Sequence, residues 1–311
     1  MSETRHLVIP PEHAGKRLDQ SLAELLPEYS RSRLQSWIAS GHVRLEGAAG
    51  SRKQKVWGGE AVEVMPEAAP EETAFRPQAI GLNVVHEDDA ILVIDKPAGL
   101  VTHPGAGNWE GTLLNALLHR LPGTAAIPRA GIVHRLDKDT SGLMVVAKTL
   151  EAQTRLVRDL QARRVKRVYW AVAMGIFERQ EGDIDAPIGR HPTQRIKMAV
   201  LGEGQGGAKP ALTHWRVVRQ YARGGGIECR LATGRTHQIR VHLSHLGHPL
   251  LGDPVYRGRR PGGSPAFGRQ ALHAVRLGLT HPVSGAYMEW EAPPPGDFAD
   301  LLLALEASHA S

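Results

Sequence analysis

Residues His134–Lys148 read HRLDKDTSGLMVVAK. The second half, Leu143–Ala147, is an unbroken apolar run, which predicts a short strand buried on both faces and central in a sheet. The first half crowds Arg135, Asp137, Asp139, Thr140 and Ser141 against the mouth of that strand. Ionisable groups beside a buried strand need partners or a purpose. A capped turn accounts for Asp139, Thr140 and Gly142, with side chains bonding local backbone and the glycine reversing the chain. It does not require Arg135 and Asp137, which at i and i+2 share a face if the segment is extended.

Upstream, Ala90–Asp95 is another apolar strand, broken by DKPAGLVTHP (Asp95–Pro104), which a simple strand-to-loop turn also explains. Downstream, residues 150–164 have helical spacing, with Leu156, Val157 and Leu160 on one face. In KRVYWAVAMG (Lys166–Gly175), Val168, Trp170 and Val172 alternate with Tyr169, Ala171 and Ala173, which is strand period. Tyr169 there serves either the core or a ligand. Arg155, Arg158, Arg163, Arg164, Lys166 and Arg167 cluster beside it, either as a solvated helix face or as cations that hold phosphates while the aromatic stacks on a base.

The segment ATGRTHQIRVHLSHLGHPLLGDPVY (Ala232–Tyr256) predicts a helix over Thr236–Leu246 with Ile239, Leu243 and Leu246 inward and Gly247 ending it. Arg240, beside that buried stripe, calls for a carboxylate partner. The histidines at 237, 242, 245 and 248 make a poor zinc site, because no cysteine is near and only 242 and 245 share a helix face. Loop histidines on an RNA-facing surface are the simpler account. Residues 257–268 form a Gly/Pro/Arg loop.

Residues 13–66 predict a separate small module. Leu18, Leu22, Leu25 and Leu26 follow helical spacing until Pro27; Ser30 sits as an N-cap, Leu34, Trp37 and Ile38 make a second stripe, and Gly41 is placed to end it. Short strands follow around Val43 and Leu45 and over Ala61–Met65. Arg31 and Arg33 open the second helix. A proline- and acid-rich linker, residues 67–79, leads to a larger domain over residues 80–311 in which strands and helices mix, so the fold class is α+β.

Composition narrows the function. The chain has 311 residues, 38 Lys+Arg and 32 Asp+Glu, for a net charge of +6. Five of the acids and no Lys or Arg lie at 289–311, so residues 1–288 carry +11. A basic body suits a polyanionic partner, although a basic enzyme of any kind shares that balance. The single cysteine, Cys229, excludes an internal disulfide framework and a Cys-rich zinc site. No apolar run approaches the length of a bilayer span, and no secretory segment opens the chain, which predicts a cytoplasmic protein that does not meet a membrane. The glycines at 204–207 and 224–226 lack the Lys-Ser/Thr of a phosphate-binding loop, and Asp139 stands where a nucleophile elbow around Ser141 needs glycine.

HRLDKDTSGL, with KPAGLVTHP upstream and TGRTHQIRVHL downstream, resembles the RluA-type pseudouridine synthases over nearly the whole chain. The stretch KRLDQSLAELLPEYSRSRLQSWIASGHV resembles the S4 RNA-binding domain. The resemblance implies a mixed, largely antiparallel sheet with flanking helices and a central cleft, preceded by the S4 module. It implies Asp137 as the catalytic aspartate, Tyr169 packed on the target uracil, and Arg240 as the partner holding Asp137. It places Arg135 and Thr140 in the matching loop and Lys96 and Pro97 in the first family motif. With Arg31, Arg33, Arg164, Lys166 and Arg167, the residues Arg135, Thr140 and Lys96 make up the expected substrate and RNA contacts. No metal or organic cofactor is implied, and the chain is expected to work as a monomer on RNA. The S4-like helix with SRSR and the segment RHPTQRIKMAV (Arg190–Val200) resemble family members that modify 23S rRNA, and imply the helix 69 stem-loop. Other rRNA or tRNA sites, and a non-catalytic ribosome-assembly factor of S4 type, are the alternatives. A glycoside hydrolase would need a second carboxylate, for which Asp139 is the nearest candidate. The sequence departs from the family where Arg257, not glycine, follows Tyr256, and where the loop 257–268 is short.

Overall fold

The structure, a computed structural model, describes residues 3–67, 74–105, 107–194, 196–256 and 265–309. Residues 68–73 of the expected linker and residues 257–264 of the loop 257–268 lie outside the described residues. The chain divides into two compact units, Met1–Thr73 and Ala74–Ser311.

In the first unit, strands β1 (Arg5–Val8), β2 (Val43–Leu45), β3 (Ala48–Ala49) and β4 (Ala61–Val64) form a sheet in the order β1-β4-β2-β3. Helices α1 (Leu18–Leu25) and α2 (Arg31–Ala39) pack together over it. Ser30 caps α2 by accepting from the N–H of Arg33, and Gly41, at φ 79, follows its C-cap. Leu18, Leu22, Leu34, Trp37, Val43, Val62 and Val64 fill one core. The unit starts before residue 13, because β1 pairs with β4 along its length. That strand exposes three of its four residues, so no apolar alternation announces it.

The second unit contains β5 (Asn83–Glu87), β6 (Ile91–Lys96), α3 (Leu113–Arg120), β7 (Ser141–Ala147), α4 (Leu150–Gln161), β8 (Lys166–Met174) and β9 (Glu181–Asp185). A small hairpin, β10 (Ile188–Arg190) and β11 (Met198–Val200), comes next. It is followed by β12 (Leu212–Tyr221), β13 (Gly224–Leu231), α5 (Gln238–His245), β14 (Leu272–Thr280), β15 (Tyr287–Glu291) and α6 (Gly296–His309). A nine-stranded mixed sheet runs β5-β6-β7-β14-β8-β13-β12-β9, with β15 also on β14. Only β7 and β14 pair in parallel; the other pairings are antiparallel. All of β7 is buried, so it is the central strand its sequence describes.

Both sheet faces are covered. Leu92, Ile94, Met144, Val146 and Tyr169 join α3 and the Ile239 and Leu243 side of α5 in one core. On the opposite face, Ile91, Val93, Leu143 and Val145 pack with Ala152 and Leu156 of α4, and Val172 and Met174 pack with Phe298, Leu301 and Leu305 of α6. This alternation along β6, β7 and β8 puts Tyr169 on the face that carries α5.

Three local expectations change. Helix α5 starts at Gln238, not Thr236, because His237 adopts a left-handed conformation at φ 57. Leu246 is 40% exposed, not inward, since the helix ends before it completes another buried turn. Gly142 reverses nothing; it lies inside β7 and is opposed by Lys96 and Ala274 in the two neighbouring strands.

Candidate active site

The loop before β7 is held from below. Thr140 N–H donates to the Asp137 carbonyl at 3.1 Å, closing a turn, and the buried Thr140 hydroxyl meets Gln270 Nε2 at 3.2 Å. Lys96, at the end of β6, is fully buried. Its ammonium donates to the carbonyls of Pro97, Leu100 and Lys138 at 2.7, 3.0 and 3.0 Å. Burial pushes its pKa down to about 8 against the pull of Asp139 and Asp137, while three carbonyl partners use all three N–H groups of the charged form. Arg269 Nη1 donates to the Asp139 carbonyl at 3.0 Å, and its other nitrogens bind Asp297 at the start of α6.

Above this loop lies a cavity of about 680 Å³, lined by residues 132–137, Tyr169 of β8, residues 231–237, and Gln238, Ile239 and Arg240 of α5. Its walls carry six arginines (Arg129, Arg135, Arg163, Arg167, Arg235 and Arg240) and one carboxylate, Asp137. Arg240 Nη1 donates to Asp137 Oδ2 at 2.9 Å. Its Nε and Nη2 clasp Asp253 at 2.7 and 2.9 Å, and Asp253 Oδ1 also accepts from the N–H groups of Val255 and Tyr256. Burial alone would lower the Arg240 pKa, but the two acids outweigh it and push it up. Burial likewise opposes the Asp253 charge, yet Arg240 and the two amides hold its carboxyl below the usual range. The guanidinium is therefore a fixed cation with a fixed orientation. Asp137 Oδ1 has no hydrogen bond from the described residues, and the side chain is 17% exposed to the cavity.

The remaining wall is electropositive and partly desolvated. Arg167 is buried; its Nη2 is 3.4 Å from the Leu231 carbonyl and its Nε has no partner. It joins no ion pair among the described residues, and burial pushes its pKa down. A buried guanidinium of this kind fits an arriving anion. Burial, then Arg129 and Arg135, push His103 down to about 4. Burial pushes the Tyr169 phenol up, so it stays protonated.

Of the residues singled out in the sequence, this cavity brings together Asp137, Tyr169, Arg240, Arg135, Thr140 and Arg167. Lys96 lies beneath it with no exposed surface and holds backbone, not a ligand. Arg164 is spent on Asp159 and Lys166 on Glu289, neither lining the cavity. In the first unit, Arg31 binds buried Asp19, whereas Arg33 lies over the rings of Tyr29 and Trp37 at 5.5 and 5.1 Å and donates to the Glu67 carbonyl. The histidines behave differently from one another. His242 is buried between Thr213 Oγ1 and the Ala186 carbonyl, and His248 stacks on Phe177; only His237 of the four faces the cavity. Among the described residues no group of three or more His, Cys, Asp or Glu could hold a metal ion, and no helix is long and apolar enough to cross a membrane.

Sequence reasoning missed Asp253, Arg129 and Arg235; it named His237 only among the histidines of an RNA-facing surface and Arg163 only within the basic cluster. Asp253 is 13 residues from Arg240 and beyond two glycines, so no periodicity links them.

A lone carboxylate clasped by a buried arginine in an arginine-lined hollow beside a tyrosine defines an enzyme that works on a polyanion. Residues 90–245 match the family described as RNA pseudouridylate synthase, and the chain belongs to that family. It is 54% identical over 307 residues to Ribosomal large subunit pseudouridine synthase D of Nitrosomonas europaea, spanning 97% of this chain and 88% of that protein. It is also 54% identical to the proteins of that name from Haemophilus influenzae, over 97% of this chain and 94% of the other, and from Escherichia coli strain K12, over 94% and 91%. Among solved structures, Human RNA Pseudouridylate Synthase Domain Containing 1 is similar, with a TM-score of 0.56 and 29% identity over 77% of this chain and 90% of that one.

Asp253→Asn tests the clasp. The amide keeps one acceptor but turns an N–H toward the guanidinium. Loss of one partner of a buried pair is expected to destabilise the second unit by about 3 kcal/mol. Urea denaturation followed by tryptophan fluorescence measures it; an unchanged midpoint would mean that Arg240 does not depend on Asp253.

Proposed function

We propose that this protein isomerises uridines of large-subunit ribosomal RNA to pseudouridine, with Asp137 as the catalytic carboxylate. One observation carries the reading: Asp137, Tyr169 and Arg240 share a cavity in which Arg240 takes Asp137 Oδ2 and leaves Oδ1 open. The proposed target, the helix 69 stem-loop of 23S rRNA, rests on the sequence resemblance; the name of the bacterial relatives points only to the large ribosomal subunit.

The reaction breaks N1–C1′, and the bond's electron pair leaves with the uracil. Asp137 supplies negative charge at C1′, by attack or by stabilising the cationic carbon, or else removes the C2′ proton. The base turns and C5 bonds to C1′ as any Asp137–C1′ bond breaks, or as any proton taken from C2′ is returned there; the C5 proton then departs and N1 is protonated, so no redox partner is needed. Arg240 orients the carboxylate, and Tyr169 packs on the detached base. A phenol whose pKa is raised by burial is a poor base at neutral pH, which favours packing over proton removal. Extruding the nucleotide costs a few kcal/mol, and Arg167, Arg135 and their neighbours offset this by holding phosphates.

The first unit is proposed to be an S4-type RNA-binding domain, supported by its helix pair, the Arg33–aromatic stack and the exposed Arg52, Lys53 and Lys55. Removing residues 1–70 is expected to weaken rRNA binding by at least tenfold and flatten its salt dependence, while the second unit stays folded. Equal slopes of log Kd against log salt for both proteins would refute this.

The function is tested by mapping pseudouridines in rRNA from cells lacking the protein, then restoring wild type or Asp137→Asn. The wild type should return the missing sites and the variant none. Full modification without the protein would refute the assignment; sites missing elsewhere than helix 69 would move the target.

A further inference from the structure

His237 occupies a strained position. Its φ of 57 is left-handed, which costs a side-chain-bearing residue roughly 1–2 kcal/mol, although histidine tolerates it better than most. The next residue enforces it. Gln238 Oε1 accepts from Thr233 Oγ1 and Arg235 N–H, and its Nε2 donates to the Leu212 carbonyl and Thr213 Oγ1. Strain held in place this firmly at a cavity wall points to use.

The surroundings fix which ring nitrogen bears the proton. Met198 N–H donates to Tyr256 Oη at 2.9 Å. Tyr256 Oη also lies 2.9 Å from His237 Nδ1. The backbone amide can only donate, so the phenol accepts there; among the described residues the phenol's own proton has no acceptor other than His237 Nδ1, so it goes to that nitrogen. Burial pushes the Tyr256 pKa up and the His237 pKa down, the latter against the pull of Asp137, so both groups stay neutral. The imidazole therefore carries its hydrogen on Nε2.

That nitrogen is 4.0 Å from Asp137 Oδ1, the oxygen that Arg240 leaves open. The gap is too long for a direct hydrogen bond. It suits one hydroxyl, which can accept from Nε2–H and donate to Oδ1; a carbonyl could do only the first. The target nucleotide offers such a group. In uridine the base projects from one face of the ribose and the 2′-hydroxyl from the other. A carboxylate approaching C1′ opposite the departing N1 arrives on the face that carries O2′.

We propose that His237 is a specificity residue that binds the 2′-hydroxyl of the target uridine, admitting ribonucleotides and discriminating against deoxyribonucleotides at that one position. The assignment rests on the proposed uridine isomerisation and names one substrate atom for it.

The test uses the full chain and a synthetic stem-loop RNA whose target uridine is either intact or 2′-deoxy. Single-turnover rates and Kd values are measured for wild type, His237→Phe, His237→Gln and Tyr256→Phe, with folding checked by circular dichroism. For wild type, loss of the hydroxyl should cost about tenfold in rate over Kd, the size of one hydrogen bond. For His237→Phe the difference between the two RNAs should shrink severalfold, because only the hydroxyl's bond to Asp137 Oδ1 remains. His237→Gln, which retains an N–H donor, should restore part of the difference, and Tyr256→Phe, which frees the tautomer but leaves the ring in place, should lose part of it. A tenfold difference that persists in His237→Phe overturns the proposal, as does a wild type indifferent to the hydroxyl. If the wild type forms no pseudouridine in either RNA, the isomerase reading fails, and the Kd comparison still decides whether His237 reads O2′.

Discussion

Asp137→Asn is expected to reduce pseudouridine formation by roughly 10⁴-fold or more while RNA affinity stays within about threefold, as removing the group that meets the reacting carbon does in other enzymes. The substitution keeps size and the ability to accept from Arg240 Nη1. It removes the negative charge of Asp137, the only carboxylate on the cavity wall among the described residues. No neighbour can substitute: Asp253 is buried and committed to Arg240 and two backbone amides, and Asp139 does not line the cavity. The fold should survive, because Arg240 retains its bidentate partner. Binding should survive too, because the five other cavity arginines remain and one negative charge has gone. A rate within tenfold of wild type, measured in single turnover on an rRNA fragment, would remove Asp137 from the mechanism.

Gly142→Ala is expected to be strongly damaging to the second unit. At φ +113 a Cβ would lie 2.3 Å from the Ala274 carbonyl oxygen and 2.5 Å from its nitrogen. Both are backbone atoms of a paired strand and cannot swing aside. Gly142 also pairs with Lys96 on the other side, so relief by moving β7 would pull on the Lys96 ammonium and the loop that presents Asp137. The expected cost is about 4 kcal/mol or more, which lowers the melting temperature of a unit this size by roughly 10 °C. Thermal unfolding followed by tryptophan fluorescence reads it. Wild-type melting would mean that β7 and β14 can separate at that point without loss.

The two substitutions also mark how legible the chain is. Asp137 stands out because Arg135 and Asp137 are more polar than the start of a buried strand requires. Gly142 draws notice as a turn residue, yet its place is inside the strand, where close approach by a strand 132 residues away makes the glycine necessary. Helix α2 was readable from Ser30, the Leu34–Trp37–Ile38 stripe and Gly41, since caps and periodicity are local. Strand β1 was not, because its pattern is exposed and its pairing partner lies more than fifty residues on. Arg164 and Lys166 looked as available for RNA as Arg167. Only the fold separates them, by placing Asp159 and Glu289 beside the first two and the cavity beside the third.

From its sequence alone the chain determines several of its strands and helices, the basic body suited to a polyanion, and the loop that carries a catalytic carboxylate candidate, because these depend on periodicity, charge and composition within a few residues of one another. The tertiary structure alone decides which charges are neutralised and which are left open. Arg240 and Asp137 are 103 residues apart, Lys96 is buried by loops from two parts of the chain, and the His237 tautomer is set by an amide at Met198. Such pairings depend on distances of a few ångströms between segments remote in sequence, and the path of the chain through the sheet is what sets them.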